Sequence, residues 1–233
     1  MKKIILLATL LAVARVSDTA SAQQQSFSFP NLNKPIPDGN FAGVSDLETV
    51  SSSITQIGAV EVTLDIAGQF NGDLYAYLRH DNTVSVLLNR PGRTAGNPYG
   101  YGDSGLQIAL SDFAADGDVH LYQQVTVPSA GSPLTGTWQP DGRNVDPTTV
   151  LDSTPRTADL NVFNGLDPNG TWTLFLADTF TGGTNTLVSW SLEVITTPVP
   201  EPSSILPLGL GGLLLVSFVR RKLVRHQTHQ LPR

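Results

Sequence analysis

The chain contains no cysteine, which excludes a disulfide scaffold, a thiolate metal site and a cysteine nucleophile. It is also short of charge and of aromatic rings, at 15% and 7% of its 233 residues. Long exposed helices draw on Glu, Lys and Arg, so this composition argues against a helical bundle or coiled coil. Turn formers are plentiful instead, with 21 glycines and 16 prolines. The net charge of −6 is unevenly placed: between Gln23 and Pro200 stand 6 basic and 18 acidic residues, while the two ends together carry +6. An acidic body argues against nucleic acid and anionic membrane surfaces as partners.

The positive ends read as addresses. Met1-Lys2-Lys3 is a basic start, Ile4 to Ala14 is an apolar run broken only by Thr9, and Ala20-Ser21-Ala22 supplies small residues for signal peptidase. Residues 1–22 therefore read as a signal peptide cleaved after Ala22, with an N-terminal anchor as the alternative. Residues 23–35 read as a linker. At the other end, residues 197–204 hold three prolines, which remove donors and fix φ. Ile205 to Val219 is then free of charge, and Arg220-Arg221-Lys222 closes it ahead of a tail to Arg233. As a helix those 15 residues reach roughly 22 Å, short of a ~30 Å hydrocarbon core. This is a short transmembrane helix with a stop-transfer cluster retained on the cytoplasmic side.

The order Val199-Pro200-Glu201-Pro202-Ser203, glycine-containing apolar stretch, Arg-Arg-Lys resembles the PEP-CTERM sorting signal of Gram-negative bacteria. That resemblance implies processing by an exosortase near the Pro-Glu-Pro segment. The tail beyond Leu223 is longer than the family's usual few basic residues. A permanent single-span anchor is the alternative.

The body between the ends shows apolar residues at every second position, the mark of half-buried strands. Such runs occupy Val60–Ile66, Leu74–Leu78, Val84–Leu88, Leu106–Leu110, Val119–Val127, Trp172–Leu176 and Val188–Val194. Turn signals separate them at Asn71-Gly72, Asp116-Gly117, Asp141-Gly142, Asn164-Gly165 and Gly182-Gly183. No segment of the body keeps a 3.6-residue period for three turns. The pattern predicts an all-β, antiparallel sandwich or jelly roll over residues 36–196.

Several of these segments carry a second resemblance. Ile36-Pro37-Asp38-Gly39-Asn40, Val62-Thr63-Leu64-Asp65-Ile66, Gly72-Asp73-Leu74, Leu134-Thr135-Gly136-Thr137-Trp138, Asn169-Gly170-Thr171-Trp172 and Ser189-Trp190-Ser191-Leu192 follow one another as in the proprotein convertase P domain, or Homo B domain. The resemblance implies a jelly-roll fold. In eukaryotes that domain lies behind a subtilisin-like protease and stabilises it, whereas no such domain precedes residues 36–195 here.

Little in the body promises chemistry. Gly102-Asp103-Ser104-Gly105 has the look of a trypsin-like nucleophile segment, but a serine nucleophile needs an oriented histidine base, and Leu106-Gln107 departs from that family's continuation. A glycine-shaped loop accounts for it. His80-Asp81 reads as a turn, and His226 and His229 as part of a solvated tail. No phosphate loop, Gly-x-Ser-x-Gly elbow or His-Glu-x-x-His motif occurs. Fifteen Asp against three Glu in the body suit turns and also calcium. On the P-domain pattern Asp73, Asp103 and Asp178 are the candidate ligands. Trp172 and Trp190 alternate in phase with core leucines, and Trp138 stands near a loop. Tyr99 and Tyr101, interleaved with glycines, are the candidates for an exposed aromatic surface.

The expectation is an exported, non-catalytic surface or matrix protein, acting in adhesion or exopolysaccharide association. The alternative is an accessory module that docks on a separate secreted protease and stabilises or modulates it. A hydrolase using Ser104 is a distant third.

Overall fold

The computed structural model describes residues 22–197. Ala20, the sorting segment Val199–Ser203 and the cluster Arg220–Lys222 lie outside them, as does the expected transmembrane helix. Among the described residues no helix is long and apolar enough to cross a membrane.

Among the described residues ten strands form two sheets. They are β1 (Gln24–Phe29), β2 (Lys34–Ile36), β3 (Asn40–Val50), β4 (Ala59–Ala67), β5 (Leu74–His80), β6 (Thr83–Asn89), β7 (Leu106–Ser111), β8 (Leu134–Trp138), β9 (Gly170–Asp178) and β10 (Asn185–Ile195). One sheet runs β1-β10-β4-β7-β8, with β2 also paired to β10, and the other runs β3-β9-β5-β6. The protein is thus mostly β in two sheets, as its alternation predicts. The inner faces supply one apolar core that includes Leu64, Ile66, Leu78, Leu110, Leu174, Leu192 and all three tryptophans.

Two features break strict period two. A bulge between Leu187 and Ser189 reverses the phase of β10, so Leu187 and Trp190 both face inward. A second, opposite β5 at Ala76/Tyr77, buries consecutive residues of β6.

The structure departs from expectation in four places. Residues 24–29 and 34–35, read as linker, belong to strands β1 and β2, which close the edge of the larger sheet on β10. β3 is an eleven-residue strand that alternation does not reveal, because it points Asp46 into the core and Leu47 outward. Asp46 is buried because the Trp190 indole donates to it at 2.6 Å and the Lys34 ammonium pairs with it. Val119–Gln124 is a short 3-10 segment instead of a strand, capped by the Asp118 carboxylate on the His120 amide. Finally, β7 and β8 run parallel, since the long connection between them crosses over, as parallel neighbours require.

The cause of the 3-10 segment is the buried histidine at its start. His120 is fully buried, with Nδ1 2.8 Å from Asp141 Oδ2 and Nε2 3.0 Å from the Arg93 carbonyl oxygen. Both partners are acceptors, so the protonated ring satisfies both. Burial opposes that charge, but the hydrogen bond and charge of Asp141 outweigh it and raise the pKa above its ordinary value. A histidine whose pKa is raised on folding contributes stability that is complete below the unfolded value of about 6.5 and is lost as pH rises through the folded value. The urea midpoint is therefore expected to fall between pH 6 and pH 9, and a His120→Gln variant is expected to lose that slope.

Candidate functional site

At one end of the sandwich four connections meet: the turn before β3, the β4–β5 segment, the long β6–β7 loop and the β9–β10 loop. They enclose an open cleft of about 390 Å³ lined by Phe70, Asp73, Tyr99 to Gly102 and Phe180 to Gly182.

Backbone contacts set this geometry. Gly72 donates from its amide to the Tyr101 carbonyl at 2.8 Å, and Asn71 to that of Asp103 at 3.0 Å. A Cβ on Gly72 would stand 2.5 Å from both Tyr99 O and Tyr101 N, so only glycine admits the loop this close. The Arg90 guanidinium ties the same pieces from below, donating from Nε to Gly72 O at 3.1 Å and from Nη2 to Pro98 O at 3.2 Å. Phe70 and Arg90 both hold positive φ, at 55° and 53°, a conformation that non-glycine residues keep only where the surroundings impose it.

The cleft combines an aromatic rim with an acidic floor. Tyr99 is 63% exposed, Phe180 43% and Phe70 41%. Tyr99 and Phe180 meet edge to face, with centroids 5.4 Å apart and planes at 88°. Tyr101 is half-buried and packs on Tyr122 at 4.6 Å. Asp73, only 8% exposed, lines the cleft. Among the described residues its carboxylate accepts no hydrogen bond, and its ion pair is with Arg90 at 3.7 Å. Burial, then the charge of Asp178, pushes Asp73 up to about 6, Arg90 opposing and Asp38 adding to the rise. A carboxyl group raised on folding is strained in its charged form, so protonation favours the fold between its unfolded and folded values. Asp73→Asn is accordingly expected to raise the melting temperature at pH 8 and leave it unchanged at pH 3.5.

The three candidate calcium ligands do not present one oxygen cage. Asp103 accepts from Tyr122 Oη at 2.7 Å and Gln123 Nε2 at 2.6 Å. Asp178 is held by Asn185 Nδ2 at 2.7 Å and by the Phe180 amide at 3.2 Å. Only Asp73 is left facing the cleft, and no group of three or more acidic or imidazole side chains converges among the described residues. Calcium wants six to eight oxygens, a set these three aspartates do not provide together. A calcium site would show as a higher melting temperature in excess calcium than in excess chelator.

Neither histidine among the described residues serves Ser104. The His80 ring nitrogens face the carbonyls of Thr171 and Asp167, with the ring stacked on Trp172 at 4.3 Å, and His120 is held by Asp141 and Arg93. The loop reading of Gly102–Gly105 fits this placement, whereas His80 is the buried last residue of β5 and the turn is made by Asp81 and Asn82. Asp73, Tyr99 and Tyr101, singled out separately in the sequence, come together in the cleft. Phe70, Arg90 and Phe180 complete it without any sequence signal of their own.

No protein-family model matches the chain, and no curated protein matches it. Among solved structures it is similar to the Aeromonas sobria serine protease in complex with the chaperone ORF2, at 16% identity and TM-score 0.41, covering 77% of this chain and 28% of that one. It is also similar to the serine protease of Aeromonas sobria, at 16% identity and TM-score 0.40, covering 76% of this chain and 27% of that one. This chain spans less than a third of either solved chain, and neither fold nor activity is carried over from them.

Proposed function

We propose that this chain is an exported, non-catalytic accessory module that docks on a secreted protein, a protease in the first instance, through its loop-end cleft. Export rests on the signal-peptide pattern, and sorting by an exosortase on the resemblance of residues 198–222 to PEP-CTERM signals. A jelly-roll fold of the P-domain kind rests on the ordered segments from Ile36 onward together with the two-sheet architecture.

The observation that carries docking is the cleft itself: three exposed aromatic side chains over a buried carboxylate, held by left-handed backbone at Phe70 and Arg90. Aromatic anchors beside a pocket are what protein interfaces concentrate. A sugar platform needs a flat aromatic face with hydroxyl-binding side chains around it. Here the two most exposed rings of the cleft stand at right angles, and among the described residues Asp73 supplies the only charged side chain lining it. Protein is the better match.

The test is made in the native cell. Cells lacking this chain are expected to secrete a protease whose activity at 45 °C decays at least several-fold faster, restored by the wild-type chain. The Tyr99→Ala/Phe180→Ala variant is expected not to restore it. Unchanged protease lifetimes, with release of the chain from the matrix by glycosidase, would instead establish exopolysaccharide association. Terminal peptide mapping checks the addresses, with ends expected near Gln23 and the Pro-Glu-Pro segment.

A further inference from the structure

The cleft also says what part of a partner it takes. We infer that it receives a single arginine side chain, with the guanidinium set against the Asp73 carboxylate and among the exposed faces of Phe70, Tyr99 and Phe180. This rests on the docking reading above and adds to it the chemistry of the contact.

Charge is the first reason. Asp73 looks into the cleft with no hydrogen bond to its carboxylate among the described residues, while Asp178 and Asp38 are close enough to act on it. The nearby cation, Arg90, is already committed. It donates to Gly72 O and Pro98 O, and it lies 5.2 Å from the Phe180 ring centre. Asp73 thus feels two further carboxylates against one internal cation, which leaves the floor negative. Because a buried carboxylate with no hydrogen bond is unfavourable and Arg90 reaches this one only at 3.7 Å, a cationic guest relieves a strain already present.

Shape and surface are the second reason. At about 390 Å³ the space lies at the small end of ligand pockets, suited to one long side chain and its adjoining backbone. Its rim is aromatic, and aromatic faces attract cations through their quadrupoles. The Tyr99 and Phe180 rings, at 88° to one another, offer walls of different orientation around one point. A metal ion would gain nothing from such walls. Arginine fits better than lysine because its guanidinium is planar, weakly hydrated, able to stack on rings and able to fork onto a carboxylate. The chain already builds this contact internally, since Arg90 approaches both Phe180 and Asp73.

The test titrates the full chain, nitrogen-15 labelled and in detergent micelles, with a blocked Gly-Ala-Arg-Ala-Gly peptide and with its citrulline counterpart, a neutral isostere. The amides of Gly100, Gly102 and Gly182 are expected to shift, and the arginine peptide to bind at least about tenfold more tightly than the citrulline one, as a charge-assisted contact should. Binding is expected to weaken as pH falls from 7.5 to 5 and to vanish in Asp73→Asn. Tyr99→Ala, at an exposed position, is expected to weaken it without moving the melting temperature. Equal affinity for the two peptides, shifts confined to other amides, or displacement of the peptide by calcium alone would each overturn the inference. If the peptides bind equally while Tyr99→Ala/Phe180→Ala still fails to protect the protease, docking stands and the arginine assignment falls. If arginine binds selectively but the same variant protects fully, the docking reading is the one that falls.

Discussion

Asp141→Ala is expected to cost the fold about 3–5 kcal/mol, as removing one member of a buried ion pair does. Asp141 is fully buried, and its carboxylate makes four contacts with three residues. Its Oδ2 accepts from the Asn89 amide at 3.1 Å and lies 2.8 Å from His120 Nδ1, and its Oδ1 accepts from the Arg143 amide and Nη1, both at 3.3 Å. Without the carboxylate, the buried imidazolium loses the group that keeps it charged, and Arg143 keeps only Asp118 as an acid partner, at 2.7 Å. The loss is measured by urea unfolding followed through the three buried tryptophans. Since His120 can respond by deprotonating, the variant is expected to lose its pH dependence above pH 6 as well. A loss below about 1 kcal/mol would show that this network is not coupled to the fold as a unit.

The second large effect is at Trp190. Trp190→Ala is expected to cost about 3–5 kcal/mol, the range for emptying an aromatic site in a packed core. The ring packs on Phe29 of β1 at 4.5 Å between centroids, so its loss also loosens that edge strand. Part of the cost is polar, because the indole N–H is a donor to the buried Asp46. Trp190→Phe separates the two contributions: it keeps most of the packing, and the lost hydrogen bond is expected to cost about 1–3 kcal/mol. A double-mutant cycle with Asp46→Asn is expected to give a coupling between about 0.5 and 3 kcal/mol. Additive losses would mean that Lys34 alone satisfies the carboxylate.

These two sites also mark where the sequence is legible and where it is not. β4, β5, β7, β9 and β10 announce themselves, because each has one face in a hydrocarbon core and alternates accordingly. β3 is silent, because its inward Asp46 finds partners on β2 and β10, elements far away along the chain. Val119–Val127 alternates convincingly and nevertheless forms no strand, Val119–Gln124 being a 3-10 segment, because His120 is fixed by a carboxylate that arrives from beyond β8. In both cases a polar contact between distant segments overrides a local apolar pattern. The cleft follows the same rule. Tyr99 and Tyr101 stand out among glycines, and Asp73 stands out in its Gly-Asp-Leu segment. Phe70 is tied to Asp73 locally, its carbonyl accepting from the Asp73 amide at 2.9 Å, but Phe180 becomes a neighbour only when β5 pairs with β9 and brings Leu74 opposite Asp178.

The pairing of β1 with the far half of β10 carries a mechanical consequence. Gln24 lies opposite Ile195, and the two backbones are tied once more where the Gln23 amide donates to Thr196 Oγ1 at 2.8 Å and the Thr196 amide to Gln23 O at 2.8 Å. Both ends of the described chain therefore leave at one pole. The cleft lies at the other pole, beyond the first residue of β10, and eleven residues of strand span roughly 36 Å. The last described residues therefore stand a full strand length from the cleft. A pull applied there would travel along β10, a strand hydrogen-bonded on both flanks. That arrangement loads many bonds in shear at once instead of peeling them one by one.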